Sequence, residues 1–564
     1  MGARGRAAET AMLDQTNYLP EKQLIPVLLA VGAAQFISFV DQNGIGVALP
    51  TVGEELHAEE TISWAGTSTL IATTIFQVLY GRLSDLFGRK AVFLFALMLL
   101  AASELVCGFS QNATMLFIFR SLVGVANGGI TALAMMIVSD VVSLEERGKY
   151  QGILGFFVGL GSMSGPFIAA AFTQQSTWGN TTWRGFFWLI SPLAIIVAGI
   201  AYKKVPTPKH APPMSVKRVK EVSKQVDCFG ILTGSAAIIL LLIPISEGGS
   251  YFKWESPLVI TMLAIGSCCM VAFVIIEFCV ARLPMMPRSI FRNRTVSVML
   301  VQGFLFGIVY YSQLYYLPLY FQNTHQFSPL TSAALLLPMF GSQAIASVSA
   351  GYYMYRKKHY NEVVWSGFFF WTLGVGLTCM FDVDTPIYAI VLIMLIEGVG
   401  IGFIFQPTIV ALQAHCDIKD RAVIISNRNF IRALGGAVGL AISATILQNT
   451  LQKYIPPKYA SLAESAYHTP DLTELGVSPV EMHDILHAYA RASKAVFIMN
   501  VPFIGLCLLG CLLIEDQGLS RPNEVKPSTG AANLSHEGLA QHRGSTATGS
   551  GVSRADPEKP REQV

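Results

Sequence analysis

Charge is scarce in this sequence. Asp, Glu, Lys and Arg make up 13% of its 564 residues, about half the share of a soluble domain, and mean hydropathy is +0.50. A soluble globular protein, a disordered chain and a coiled coil are excluded together. Nine cysteines occur, but none forms a CxxC and most sit in or beside apolar blocks. Neither a disulfide framework nor a cysteine-based metal site is implied. Walker A and HExxH sequences are missing, so no enzyme, cofactor or resident metal is expected. A net charge of +3 is too small to imply a nucleic-acid partner. Residues 1–23 are polar, with Arg4, Arg6 and Lys22, which is not the pattern of a signal peptide.

What the chain does have is apolar blocks, such as 91–102, 191–201, 231–245 and 387–396, separated by short polar pieces. A hydrocarbon core of about 30 Å needs roughly 20 apolar residues per crossing, and helices satisfy their own backbone there. Fourteen segments qualify. Those near 62–81 and 422–447 are the least apolar, so twelve is the alternative count. With the N-terminus inside, thirty of the 39 Lys and Arg fall in inner segments. Six fall outside, and Arg120, Arg428 and Arg432 lie within spans. A five-to-one bias marks the correct register. Sequons at Asn112 and Asn180 then face outward, as glycosylation would require.

The organisation expected is an inner segment 1–24, a six-helix bundle over 25–202, a basic inner loop 203–226 and two inserted helices over 227–279. A second six-helix bundle follows over 280–515, with a long outer loop 449–493 that has room for a short surface helix near 480–490. The inner tail 516–564 is Gly-, Ser- and Pro-rich and is expected to be disordered.

Ionisable residues inside a membrane are costly, and function is the default reading. Asp41 lies about 13 Å below Pro50 at the outer end of the first span, and Arg120 about 10 Å deep in the fourth, at 1.5 Å per residue. The matching depths predict a facing pair; a static bridge is the bland alternative. Glu397 and Arg432 share a depth in the second half and form a second candidate pair. Glu104 is close enough to an outer end to reach water, and Glu277 reads as a local anchor. Small residues over 155–165, 398–402 and 435–439 suit close helix contacts. They fit either ordinary packing or a sliding surface between two moving bundles. Tyr residues near Tyr320 fit an interfacial belt. Tyr310, Tyr311 and Gln313 sit deeper and suit a cavity for a bulky, amphipathic organic substrate.

Gly81, Asp85, Gly88, Arg89 and Lys90, between the second and third spans, resemble the GxLaDrxGrkxxl signature of the major facilitator superfamily. Physically this reads as a tight, glycine-bounded inner loop whose carboxylate caps a helix or binds arginine. Gly351 to Lys358 looks like a decayed copy lacking the acid, as an internal repeat would leave. Arg120, Gly124 and Gly128 resemble the fourth-span motif of drug:proton antiporters. Gly161, Gly165 and Pro166 resemble the fifth-span antiporter motif, with Ala169 and Ala170 in place of its closing glycines. The stretch Asp41 to Pro50 is similar to the first-span motif of the fourteen-span branch, with Gln42 beside the acid.

The resemblance implies an all-α membrane protein of the major facilitator fold: two six-helix bundles plus two inserted helices. It also implies proton-coupled export of a toxin, secondary metabolite or drug by alternating access, in the manner of fungal efflux pumps. Asp41, Arg120, Glu397 and Arg432 would handle protons. The motif residues would govern conformational change, and Gln42, Tyr310, Tyr311 and Gln313 would line the substrate cavity. The expected setting is a monomer in the plasma membrane, or else the vacuolar membrane. A facilitator or importer of a nutrient or siderophore on the same fold is the alternative.

Overall fold

A computed structural model describes residues 18–58, 61–62, 64–173, 183–207, 228–247, 255–280, 284–417, 420–459 and 478–520. Expectations about Asn180, about most of the basic loop 203–226, about part 460–477 of the outer loop 449–493, and about the tail beyond 520 fall outside those residues. Among the described residues there is no strand.

The long helices are α1 (Glu21–Glu55), α2 (Trp64–Phe87), α3 (Arg89–Gly108), α4 (Ala113–Val141), α5 (Leu144–Thr173), α6 (Arg184–Lys204), α7 (Cys228–Glu247) and α8 (Pro257–Ile275). They continue with α9 (Arg294–His325), α10 (Pro329–Lys357), α11 (Asn361–Thr378), α12 (Ile387–Ala414), α13 (Arg421–Tyr454) and α14 (Pro479–Gly510). Among the described residues, eleven helices are long and apolar enough to cross a membrane; α2, α7 and α11 fall short by length and composition.

Local chemistry sets the helix ends. Asn112 accepts from the Met115 N–H at 2.8 Å and starts α4. Asn293 and Ser478 do the same for α9 and α14, the latter in a capping box with Glu481. Proline breaks two helices in mid-course. α10 is interrupted at Leu336, just before Pro338, and α12 at Gln406, just before Pro407, because proline cannot donate to the preceding turn.

Packing shows the internal repeat. Within the first half α1 packs on α5 and α6, α2 on α4, and α3 on α4 and α6; the second half repeats these partnerships eight helices later, with α9 on α13, α10 on α12, and α11 on α12 and α14. The halves meet through α5 against α10 and α2 against α13, two contacts that this repeat exchanges. The inserted pair α7–α8 lies beside the α2–α13 contact. Phe229, Leu232, Ile260, Val271 and Ile275 point outward from it. An apolar surface of that extent suits lipid rather than water.

Several sequence expectations need correction. α1 runs past Pro50 to Glu55, where the Trp183 indole donates to the Glu55 carboxylate at 2.7 Å and Arg184 pairs with it. The motif Gly81–Lys90 is not a loop. α2 continues to Phe87 because Asp85 and Arg89 neutralise each other, and only Gly88, at φ +89°, interrupts the helix. Helical periodicity near 480–490 belongs to the first turns of the 32-residue α14, not to a separate surface helix. Tyr316 and Tyr320 are buried: the Tyr320 hydroxyl donates to Asp382 O at 2.8 Å and its ring stacks on Phe381. They are core residues of the second half, not an interfacial belt.

Candidate functional site

Asp41 on α1, Glu104 on α3 and Arg120 on α4 converge in the first half, all with no solvent exposure. Arg120 Nη1 lies 2.5 Å from Asp41 Oδ1 and 3.3 Å from Glu104 Oε1. The predicted Asp41–Arg120 pair is therefore present, and a third member joins it. Glu104 does not reach water, because α3 turns it inward onto the same guanidinium. Asn127, two turns further along α4, donates to Asp41 Oδ2 at 2.7 Å. Ser38 donates to Asn127 Oδ1 at 2.7 Å, and Gln42 donates to Ser38 Oγ at 3.0 Å. A continuous chain of polar contacts thus runs from half-exposed Gln42 to buried Asp41. Glu104, Asn127 and Ser38 were not singled out as partners from the sequence.

The second half is arranged differently. Glu397 and Arg432 share a depth but do not pair. Gln313 Nε2 donates to Glu397 Oε1 at 3.2 Å, and the Glu397 side chain lies against Gly374 of α11. Arg432 Nη1 instead donates to the Tyr311 hydroxyl at 3.3 Å, with its guanidinium over the Tyr311 and Phe405 rings. Arg428, one turn away, donates to Phe405 O at 2.8 Å and Thr408 Oγ1 at 3.2 Å. Phe405 O is available to it because the break at Gln406 moves the following amide bonds, with Ile409 and Val410 donating to Gln406 O instead. Tyr310 is buried, stacked on Phe306 at 5.5 Å. Tyr311 is partly exposed and Gln313 is buried.

One end of the molecule carries the basic residues and is closed. Arg89 lies 2.6 Å from Asp85 and 2.9 Å from Asp140, tying α2, α3 and α4 together. Lys90 lies over the Tyr202 ring. A Cβ on Gly81 would meet Ser426 Oγ of α13 at 2.6 Å. Between the halves, Arg147 donates to Gln413 Oε1 at 3.1 Å, Gln413 donates to Ser139 Oγ at 3.0 Å, and Lys358 pairs with Glu145 at 2.8 Å. Residues just beyond the inserted pair are strapped here too. Glu277 accepts from the Met285 and Met286 amides, Arg82 donates to Pro284 O at 2.6 Å, and Asn427 donates to Met285 O at 2.9 Å.

Glycines divide by address. A Cβ on Gly152 would strike Ser347 O at 2.5 Å and one on Gly159 would strike Ala344 Cβ at 2.8 Å, so that face of α5 meets α10 across the halves. Gly161 and Gly165 meet Phe36 O and Val40 O of α1 at 2.6 and 2.5 Å. Beside Pro166, this motif packs within the first half rather than on a surface between bundles. Gly398 and Gly402 face α10, and Gly435 and Gly439 face α9, again inside one half.

The fold is thus a repeat of six helices, with acid and base buried together in the first half and an Arg–Asp clasp where the second helix meets the third. Residues 31–440 match the sequence profile of the Major Facilitator Superfamily. The chain belongs to the major facilitator superfamily. Citrate exporter 1 of Yarrowia lipolytica (strain CLIB 122 / E 150) is 42% identical over 522 residues, 92% of this chain and 76% of that protein. MFS-type transporter clz4 of Cochliobolus lunatus is 40% identical over 516 residues, 91% of this chain and 90% of its own length. Efflux pump dotC of Dothistroma septosporum (strain NZE10 / CBS 128990) is 29% identical over 514 residues, 90% of this chain and 87% of that protein. Among solved structures, the human organic anion transporter MFSD10 (TETRAN) aligns with TM-score 0.54 at 15% identity, covering 88% of this chain and all of that one. The proton:xylose symporter XylE aligns with TM-score 0.54 at 15% identity, covering 90% and 99%. Both speak to the fold alone. The chain is thus a multi-pass membrane transporter of the major facilitator fold.

Proposed function

We propose that the protein is a proton-coupled exporter of a small organic molecule, working by alternating access across fourteen spans with its basic end in the cytoplasm. The observation that carries the coupling is the Asp41–Arg120–Glu104 cluster. Two carboxylates around one guanidinium leave one negative charge uncompensated in an apolar interior, and binding a proton removes it. Gain and loss of that proton on opposite sides of the membrane would bias the closed basic end against its open counterpart. Efflux is the direction in the names of two relatives, a citrate exporter and an efflux pump. The charge bias of the loops supports a cytoplasmic side for Arg89, Lys90 and Arg147, and the plasma membrane is the proposed site of action.

The test is efflux from proteoliposomes with an imposed proton gradient, following citrate and a cationic dye separately. Uphill movement of either, abolished by dissipating the gradient, supports the reading. Transport that equilibrates a substrate but never concentrates it would make the protein a facilitator instead.

A further inference from the structure

Arg428 and Arg432 stand one turn apart on α13 and both are buried, Arg432 at 4% exposure. Among the described residues neither forms an ion pair with a carboxylate. Glu397, an acid of the same half, is engaged by Gln313 instead. Both guanidinium groups converge on one ring, lying 5.2 and 5.1 Å from the Phe405 centroid. Their polar partners are unequal. Arg428 is held by Asn429 Oδ1, Phe405 O and Thr408 Oγ1. Arg432 has the Tyr311 hydroxyl at 3.3 Å, and its buried Nε has no partner. Between them, Asn429 touches Met135 of α4, so this face of α13 looks toward the other half, where a transported molecule would pass.

Two buried cations without a counter-anion are expensive, and aromatic faces return only part of that cost. The first half carries the opposite excess, two carboxylates to one arginine. We infer that Arg428 and Arg432, with the Tyr311 hydroxyl, form an anion-binding site for a di- or tricarboxylate. This rests on the export reading and names its substrate class. Arg432, with donors to spare, takes one carboxylate through its planar fork. Arg428, fixed by neutral acceptors, supplies the adjacent positive charge that favours a second carboxylate. Tyr311 donates to a carboxylate or hydroxyl oxygen. Proton handling and substrate binding then reside in different halves, and a negatively charged cargo is matched to the positive half.

Binding to the purified full-length protein tests this, using citrate, its uncharged trimethyl ester and benzoate as probes. Citrate should bind, and the ester and benzoate should bind far more weakly. Arg432→Gln should weaken citrate binding roughly 10- to 100-fold, the range for a lost charged hydrogen bond. Arg432→Lys, which keeps charge but loses the fork, should fall between. Each variant is checked for a monodisperse elution profile, and Tyr311→Phe offers a milder second probe with an expected loss of several-fold. Equal citrate affinity in the parent and Arg432→Gln, no citrate binding by the parent, or benzoate binding as tight as citrate overturns the site. The two readings separate in vesicles. Arginine-dependent citrate binding without uphill efflux sinks export alone. Uphill efflux of a cationic dye, untouched by Arg432→Gln and with no citrate bound, sinks the anion site alone.

Discussion

Arg147 donates to Gln413 at 3.1 Å across 266 residues of sequence, and this contact joins the two halves where the basic end is shut. Arg147 is fully buried, so the bond forms only while α5 and α12 stay together. Removing it should favour the open basic end. Arg147→Ala should raise the labelling rate of a cysteine placed at Ala344, which lies under Gly159 in the closed contact, by about tenfold for each ~1.4 kcal/mol of bias lost. The measurement is made in a background with Cys268 and Cys279 replaced by serine, since both are exposed. An unchanged rate would mean that the α5–α10 packing alone holds the closure.

The acid–base cluster separates coupling from folding. Asp41→Asn keeps size and one acceptor oxygen for its donors Arg120 and Asn127 but removes the charge, so the variant should reach the membrane and bind substrate, yet fail to concentrate it against a pH gradient. Arg120→Ala leaves Asp41 and Glu104 without their shared cation, and stability should fall by about 3–5 kcal/mol, read as a lower melting temperature in detergent. If Asp41→Asn concentrates substrate as steeply as the parent, Glu104→Gln is the next variant to measure.

At the clasp between α2 and α3, Asp85→Asn weakens the hold on Arg89 at 2.6 Å without touching the Asp41–Arg120–Glu104 cluster or the Arg428–Arg432 face. Turnover should drop severalfold with substrate affinity preserved, as expected of a switch element remote from the binding site. Parallel losses of affinity and turnover would reassign Asp85 to the substrate path.

Two glycine substitutions should act differently. Gly152→Ala pushes a methyl group into Ser347 O across the halves, and Gly161→Ala pushes one into Phe36 O within the first half. Overpacking of this kind costs about 1–3 kcal/mol. For Gly152→Ala the cost is relieved when the halves part, so cysteine labelling from the basic side should rise with little change in melting temperature. For Gly161→Ala melting temperature should fall and labelling should hold steady.

Asn112 is exposed and caps α4 with its side-chain oxygen. In a eukaryotic host, Asn112→Gln should remove a deglycosidase-sensitive mass shift if that end faces outward. Reaction of a membrane-impermeant reagent with the 203–226 loop in intact cells would reverse the orientation.

Hydropathy and the charge bias were enough to read the helical segments, the two halves and the inserted pair. Depth counting found Asp41 and Arg120 because both lie on helices that meet. It mispaired Glu397 with Arg432 because depth says nothing about rotation around the helix axis: α12 turns Glu397 toward Gln313 and Gly374, and α13 turns Arg432 toward Tyr311. Loop boundaries failed at 81–90 for a related reason. A drop in hydropathy looks like an exit from the membrane, whereas these charges satisfy one another while the helix continues. Arg147 and Gln413 were out of reach because neither is unusual locally and nothing in the sequence links positions so far apart.

The segment Pro284–Met286 is gripped at once by Arg82 of the first half, Asn427 of the second and Glu277 at the end of the inserted pair. Mechanically this is a pivot whose three arms cannot all move independently. As the halves rock, at least one grip must let go or the inserted pair must swing with them, shearing its apolar flank through the surrounding lipid. The work of turnover would then include a viscous component set by the membrane, so transport rate should depend on acyl-chain order even where substrate affinity does not.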